Sequence, residues 1–199
     1  EPGIESLARP SSGAAEAYRS LRTALEFTGL GKELSLIHVT SAAPGEGKST
    51  TACNLAVSLA RAGNHVVLVD CDLRRPRVHS LLDVPSEVGF TSVLLGTTSM
   101  DQALQRVDDV PGLYVLPAGP IPPNPAEVLD SELAASRLRL LAQSADYVVI
   151  DSPPILPVSD SVALAAYTDA TLMVVRARTA NRRAINRAME ILEQVGSPA

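Results

Sequence analysis

Hydrophobic residues along this chain fall into five short runs, separated by longer stretches with helical spacing. The runs are LSLIHVTS, HVVLVDC, LYVLP, DYVVID and ATLMVVRA, and most of them do not alternate apolar and polar positions. Continuous apolar runs are typical of parallel strands that are buried on both faces. The pattern therefore predicts an α/β fold, a three-layer sandwich with a mainly parallel central sheet. In such folds the ligand lies at the carboxyl ends of the strands.

The amino-terminal segment differs from the rest of the chain. EPGIESLARPSSG is rich in proline, serine and glycine, so we predict a linker over 1–13, following a membrane region. Order is expected to begin near Ala14, ahead of the helical pattern AEAYRSLRTALEF. A single domain is predicted over 14–199.

Composition narrows the class of protein. The chain has 199 residues, of which 46% are hydrophobic, enough for one large aliphatic core. A net charge of -5 argues against a nucleic-acid partner. Two cysteines do not form a disulfide framework, so reduced thiols are expected. No apolar run reaches the ~18 residues that a transmembrane helix needs, so we expect this fragment itself to be soluble.

A glycine-rich stretch, SAAPGEGKST, joins the first apolar run to the helical pattern TACNLAVSLARAG. It matches G-x-x-x-x-G-K-[ST], with Ala42 in place of the first glycine. Glycines let backbone N–H groups turn toward an anion, Lys48 adds a positive charge, and Ser49 offers a hydroxyl to Mg²⁺. The sequence thus predicts an ATP/ADP phosphate site of P-loop NTPase type. Its nucleotide contacts are predicted at Ala43, Pro44, Gly45, Glu46, Gly47, Lys48, Ser49 and Thr50.

Carboxylates follow two of the predicted strands. Asp70 and Asp72 lie in VVLVDCDLRRPR, and Asp151 lies in VVIDSPP. Strand ends of a parallel sheet meet at one edge, so these groups are expected beside the phosphate loop. We predict Ser49, Asp70 and Asp151 at Mg²⁺, and Asp70 or Asp72 as a base that accepts a hydroxyl proton. Asp160 is predicted to cap the helix that starts at DSVALAAY, with a contribution to the nucleotide site as the alternative.

These motifs in this order resemble the bacterial tyrosine kinases of capsule and exopolysaccharide assembly, a branch of the MinD and ParA-like P-loop proteins. The likeness extends to LPAGPIPPNPAEVLDS and VVIDSPPILPVSDS, and it covers nearly the whole chain. It implies ATP-dependent phosphorylation of tyrosines on a neighbouring copy. It also implies Lys48 and Ser49 at phosphate and Mg²⁺, Asp151 at the metal, and Asp70 in preference to Asp72 as the base.

The first long helical pattern contains an E-x-x-R-x-x-R spacing at Glu16, Arg19 and Arg22. Spacings of three place these side chains on roughly one helical face. Judged from the residues alone, a solvated charged face is the simpler interpretation. The family resemblance instead implies that they join subunits into a ring.

The same resemblance implies partners and a location. They are a homo-oligomer, protein tyrosine substrates and a transmembrane polysaccharide co-polymerase, fused or separate, at the cytoplasmic face of the bacterial plasma membrane. Such kinases usually end in a further strand and a tyrosine-rich tail, whereas the last tyrosine here is Tyr167, so a truncated chain is expected.

Two alternatives remain open. One is a MinD or ParA-like ATPase, although such ATPases carry a signature lysine where this chain has Ala43. The other is a nucleotide-gated assembly module that transfers no phosphate to protein.

Overall fold

A single sheet lies at the centre of the computed structural model, which describes residues 3–28, 34–179 and 181–197. Within those residues its strands are β1 (Leu36–Ser41), β2 (Val66–Asp70), β3 (Gln105–Arg106), β4 (Leu113–Leu116), β5 (Tyr147–Asp151) and β6 (Ala170–Val174). The order is β3-β4-β2-β5-β1-β6, and each neighbouring pair is parallel except β3 with β4. The predicted mainly parallel sheet is confirmed.

Helices cover both faces of this sheet. They are α1 (Glu5–Ala8), α2 (Gly13–Thr28), α3 (Lys48–Arg61), α4 (Val78–Leu82), α5 (Phe90–Leu94), α6 (Met100–Ala103), α7 (Pro125–Leu129), α8 (Glu132–Ser144), α9 (Asp160–Ala165) and α10 (Arg182–Gln194). Among the described residues, no helix has both the length and the apolar character to cross a bilayer.

The longer strands are mostly apolar because both faces of the sheet are covered. In β2, Val66 and Leu68 join a cluster with α3 and α4, whereas Val67 and Val69 join a second cluster with α5, α7 and α8. Adjacent residues of a strand point to opposite faces, so two cores need apolar residues at every position. The five apolar runs become β1, β2, β4, β5 and β6. The two-residue strand β3 is too short to leave such a pattern and was not predicted.

The amino-terminal segment requires a correction. Order begins before Ala14, because residues 5–8 form α1 and Ile4 is only 4% exposed. The Ser6 N–H donates to Asn54 Oδ1 of α3 at 2.8 Å. A few apolar side chains are enough to attach this segment to α3, and its proline, serine and glycine content concealed them. The division into a linker over 1–13 and a single domain over 14–199 remains a prediction.

Candidate active site

The carboxyl ends of β1, β2 and β5 place the three sequence motifs at one edge of the sheet. β5 pairs with both β1 and β2, and Asp70 lies opposite Asp151 in the ladder. A pocket of about 930 Å³ opens at this edge. Its wall consists of Tyr18, Pro44, Gly45, Glu46, Gly47, Lys48, Ser49, Thr50, Thr51, Asp72, Arg74, Arg75, Arg77, Leu81, Pro153, Pro154, Pro157, Val158 and Arg176.

The phosphate loop turns sharply before α3. Gly45 and Gly47 have φ values of 81° and 97°, in the left-handed region that favours glycine. α3 begins at Lys48, directly after Gly47, so the helix amino terminus points its free N–H groups at the pocket. Such a loop is suited to holding the phosphates of a nucleotide. Ala43 does not line the pocket, since its N–H donates to Glu46 Oε2 at 3.0 Å and thereby closes the turn.

Lys48 lies between the loop and the carboxylates. Its Nζ donates to Asp72 Oδ2 at 2.7 Å and to Ser49 Oγ at 3.3 Å. Burial lowers the pKa of Lys48, but the carboxylates of Asp151 and Asp72 outweigh that effect and raise it above its ordinary value. Lys48 is therefore a fixed positive charge at neutral pH.

Asp70 is enclosed by its own loop. Oδ2 accepts the N–H groups of Arg77 and Val78, each at 3.0 Å, and Oδ1 accepts the N–H of Asp72 at 3.2 Å. The residue is fully buried and is not part of the pocket wall. Burial, reinforced by the charge of Asp151, raises the pKa of Asp70 to about 8. The contacts describe a carboxyl group that holds the loop between β2 and α4.

Asp151 has the opposite environment. It is fully buried, yet neither carboxylate oxygen has a hydrogen-bond partner among the described residues. Burial raises the pKa of Asp151 to about 6, although the charge of Lys48 lowers it. The Ser49 hydroxyl also lowers that pKa, but it lies outside ordinary hydrogen-bond geometry, which leaves both oxygens free.

These free oxygens fit the hard cation that accompanies a nucleotide. The described residues contain no group of three or more histidine, cysteine or acidic side chains arranged to hold a metal by themselves. Mg²⁺ does not need such a group, because it usually binds one or two protein oxygens and completes its shell with phosphate and water. Asp151 and Ser49 supply oxygens of that kind.

The sequence matches the AAA domain family over residues 34–197. Tyrosine-protein kinase YwqD of Bacillus subtilis is 41% identical over 189 residues, which cover 95% of this chain and 79% of that protein. The solved kinase domain of Escherichia coli tyrosine kinase ETK superposes with a TM-score of 0.93 at 31% identity, over 98% of this chain and 76% of that one. The chain belongs to the family of bacterial tyrosine-protein kinases.

Other relatives define the limits of that likeness. Tyrosine-protein kinase ptk of Acinetobacter johnsonii is 33% identical over 92% of this chain, which spans only 25% of that longer protein. The septum site-determining protein MinD of Pyrococcus horikoshii, solved with Mg-ADP, superposes with a TM-score of 0.70 at 21% identity over 82% of this chain and 67% of that one. The second match shows a shared fold only.

Two charged contacts of the kinase pocket were not predicted. Arg74 donates from Nε and Nη2 to the two oxygens of Asp160 at 3.0 and 3.1 Å, a forked pair. The prediction that Asp160 caps α9 is therefore wrong, because its carboxylate is committed to Arg74. On the same wall, Arg176 Nη1 donates to the carbonyl of Gly45 at 3.1 Å. Partners 86 and 131 residues apart leave no local signal.

The predicted subunit-joining residues lie on α2, and all three already have partners within the kinase. Arg19 bonds to Glu16 and to the carbonyl of Pro10, all on an exposed surface. Arg22 Nη1 donates to the carbonyl of Ser58 at 3.1 Å and so ties α2 to α3. The exposed pair Glu16 and Arg19 stays a predicted contact, while Arg22 has a role inside its own chain.

Proposed function

We propose that this kinase transfers the γ-phosphoryl group of ATP to tyrosine side chains of protein, including those of neighbouring copies. One observation carries the proposal: the ion pair between Lys48 and Asp72, which lies within the pocket at 2.7 Å. A nucleotide phosphate competes for Lys48 and releases the Asp72 carboxylate. The released carboxylate then lies beside the terminal phosphate, where an acceptor hydroxyl must approach.

The residues divide the reaction among them. The loop amides and Lys48 bind the phosphates. Asp151 and Ser49 would hold Mg²⁺, which would supply charge neutralisation on the phosphates. The tyrosine oxygen forms a bond to the γ-phosphorus, the bond to the β,γ-bridging oxygen breaks, and ADP leaves with that electron pair. The hydroxyl proton passes to Asp72, which faces the pocket, in preference to Asp70, which does not.

The wider biological role is proposed from the family resemblance. The kinase regulates polymerisation and export of capsule or exopolysaccharide at the cytoplasmic face of the bacterial plasma membrane. Its partner is a transmembrane co-polymerase, fused or separate. This chain covers 79% of YwqD but only 25% of the much longer ptk. Relatives of both lengths are compatible with a separate co-polymerase and with a fused one.

The test is transfer of labelled γ-phosphate by the natural protein, with phosphotyrosine and free phosphate measured together. We expect phosphotyrosine that falls at least ~1000-fold in Lys48→Met, since positioning and charge neutralisation supply most of the catalysis. Asp72→Asn is expected to lose transfer and keep ATP binding. Free phosphate without labelled protein would instead support a MinD-like ATPase, and normal assembly with neither product would support a nucleotide-gated module.

A ring of subunits is part of the same proposal. Arg19→Ala removes an exposed side chain and is expected to shift sedimentation toward monomer with little change in thermal unfolding. Arg22→Ala serves as the comparison, because it removes the bond to the Ser58 carbonyl within the chain and is therefore expected to lower the unfolding temperature. Unchanged association of Arg19→Ala would contradict the proposed contact.

A further inference from the structure

A charged pair joins the loop between β2 and α4 to the start of α9. Arg74 donates from Nε and Nη2 to Oδ1 and Oδ2 of Asp160 at 3.0 and 3.1 Å. The Asp160 side chain is fully buried, whereas the Arg74 side chain is 41% exposed and lines the pocket. Both oxygens of a buried carboxylate are thus bonded to one guanidinium group. A forked pair of this kind fixes the distance and the angle between the two segments that it joins.

The arginine end of the pair belongs to the turn that carries Asp72. The Arg75 N–H closes this turn, because it donates to Asp72 Oδ1 at 3.0 Å and to the Asp72 carbonyl at 3.2 Å. Within the turn, Leu73 is buried in the core formed with α5, α7 and α8, and Arg74 bonds to α9. The turn is therefore attached to the rest of the protein by an apolar side chain and by a charged one.

The aspartate end of the pair is attached to the loop after β5. Ser161, the next residue of α9, is buried, and its Oγ lies 2.8 Å from Ser152 Oγ. Ser152 follows Asp151 directly in the chain. Asp160 is thereby held beside the loop that carries the proposed Mg²⁺ ligand. Its pair with Arg74 connects that loop to the turn that carries the proposed base.

This connection matters most when a nucleotide enters the pocket. Asp72 Oδ2 accepts a hydrogen bond from Lys48 Nζ at 2.7 Å. Once a phosphate binds Lys48, as proposed above, that contact is lost and the position of the Asp72 carboxylate depends on its turn. The rate of transfer is sensitive to this position, because a misplacement of about 1 Å can lower a rate about 100-fold. Contacts that hold the turn after Lys48 is released therefore affect the reaction.

The stability of the fold does not by itself require this pair. Replacing both members of a buried ion pair with apolar side chains often leaves stability unchanged or raises it. Removing one member lowers stability, because the other charge stays buried without a partner. A structural role and a role in the reaction can therefore be told apart by comparing single and double substitutions.

We propose that Arg74 and Asp160 are positioning residues, which hold the Asp72 carboxylate beside the γ-phosphate after Lys48 is released to the nucleotide. The inference rests on the proposed tyrosine kinase activity with Asp72 as the base, and it adds two residues that act through Asp72. Neither residue contacts the reacting atoms. Their loss should therefore lower kcat and leave the KM for ATP nearly unchanged.

The test compares Arg74→Ala, Asp160→Ala and the variant with both substitutions, using a peptide with a single tyrosine as the acceptor. Arg74→Ala should have the lowest unfolding temperature of the three, since it leaves the Asp160 carboxylate buried without a partner. The double variant should recover most of that stability. In all three variants kcat per folded molecule should stay at least ~10-fold below that of the natural protein. The KM for ATP should change less than about twofold.

Two further variants serve as controls. Arg74→Lys keeps the positive charge but cannot form the forked pair, so it should keep most of the stability and lose part of kcat. Arg187→Ala removes an exposed ion pair with Glu190 in α10, outside the pocket, and should change neither kcat nor the unfolding temperature noticeably.

The outcomes separate the failure of this inference from the failure of the proposed function. A double variant that regains kcat together with stability would show that the pair is structural only and would overturn the inference. A raised KM for ATP in Arg74→Ala, with kcat retained, would assign Arg74 to the nucleotide and would also overturn it. Absence of phosphotyrosine with the natural protein would overturn the kinase proposal itself.

Discussion

The loops that follow β2 and β5 start from the same kind of residue and use it differently. Asp70 and Asp151 each end a buried strand, lie opposite one another in the ladder and are fully buried. Asp70 accepts three backbone N–H groups from its own loop. Asp151 accepts no hydrogen bond from the described residues.

The difference follows from what else holds each loop in place. The loop between β2 and α4 is held in place by the carboxylate of Asp70 itself. After β5, the Ser152 hydroxyl donates to the Val39 carbonyl at 3.1 Å and lies 2.7 Å from His38 Nε2. Because His38 and Ser152 fasten this loop, the adjacent Asp151 oxygens stay free for a cation. Although the two residues occupy equivalent positions in the sheet, the Asp70 carboxylate has a structural role and the Asp151 carboxylate is available to bind a cation.

Asp151→Asn tests the chemical half of this comparison and should have the largest effect of the substitutions that compare these two loops. Removing a negative oxygen from the proposed Mg²⁺ site is expected to lower phosphotyrosine formation by at least ~100-fold. Stability of the metal-free protein should hold or rise, since a buried carboxylate without partners disfavours folding. Kinase assays with a Mg²⁺ titration and urea unfolding measure the two quantities. A destabilised Asp151→Asn protein with normal activity would contradict the assignment.

Asp70→Asn tests the structural half. An amide in this position presents N–H donors to backbone N–H groups, so we expect a loss of about 2–3 kcal/mol in the free energy of unfolding. Urea unfolding measures that loss, and the activity per folded molecule should fall less than in Asp151→Asn. If Asp70→Asn instead kept its stability and lost all transfer, Asp70 would be the base, as the family resemblance implied.

The fold and the positions of the main motifs could be predicted from sequence because both depend on local patterns. Apolar runs gave the five main strands, and the spacing around Lys48 gave the phosphate loop. The division of labour between Asp70 and Asp151 could not be predicted, since it depends on which backbone and side-chain groups surround each carboxylate. The sequence contained one signal of the contacts that hold the loop after β5: His38, a polar residue inside an apolar run.

Substitution of His38 should have the smallest of these effects, and it tests directly how the loop after β5 is held in place. Burial lowers the pKa of His38 to about 3, and the ring also contacts Thr171 Oγ1 at 3.1 Å. The imidazole of His38 binds a proton near pH 6.5 in the unfolded chain but stays neutral at that pH in the folded protein. The contribution of neutral His38 to the free energy of unfolding is therefore complete above pH 6.5 and is lost as the pH falls toward 3. At pH 5 the loss attributable to His38 should be about 2 kcal/mol.

Urea unfolding of the wild type and His38→Gln between pH 7.5 and about 5 isolates this contribution, because only the wild type carries the titrating ring. The glutamine variant should be less stable at pH 7.5 yet lose less stability on acidification. His65→Gln, which removes an exposed imidazole far from the β5 loop along the sequence, is the control variant. Parallel profiles for the wild type and His38→Gln would mean that the ring is not held neutral in the folded state. Contacts other than those of His38 would then have to hold the loop after β5 and leave the Asp151 oxygens without hydrogen-bond partners.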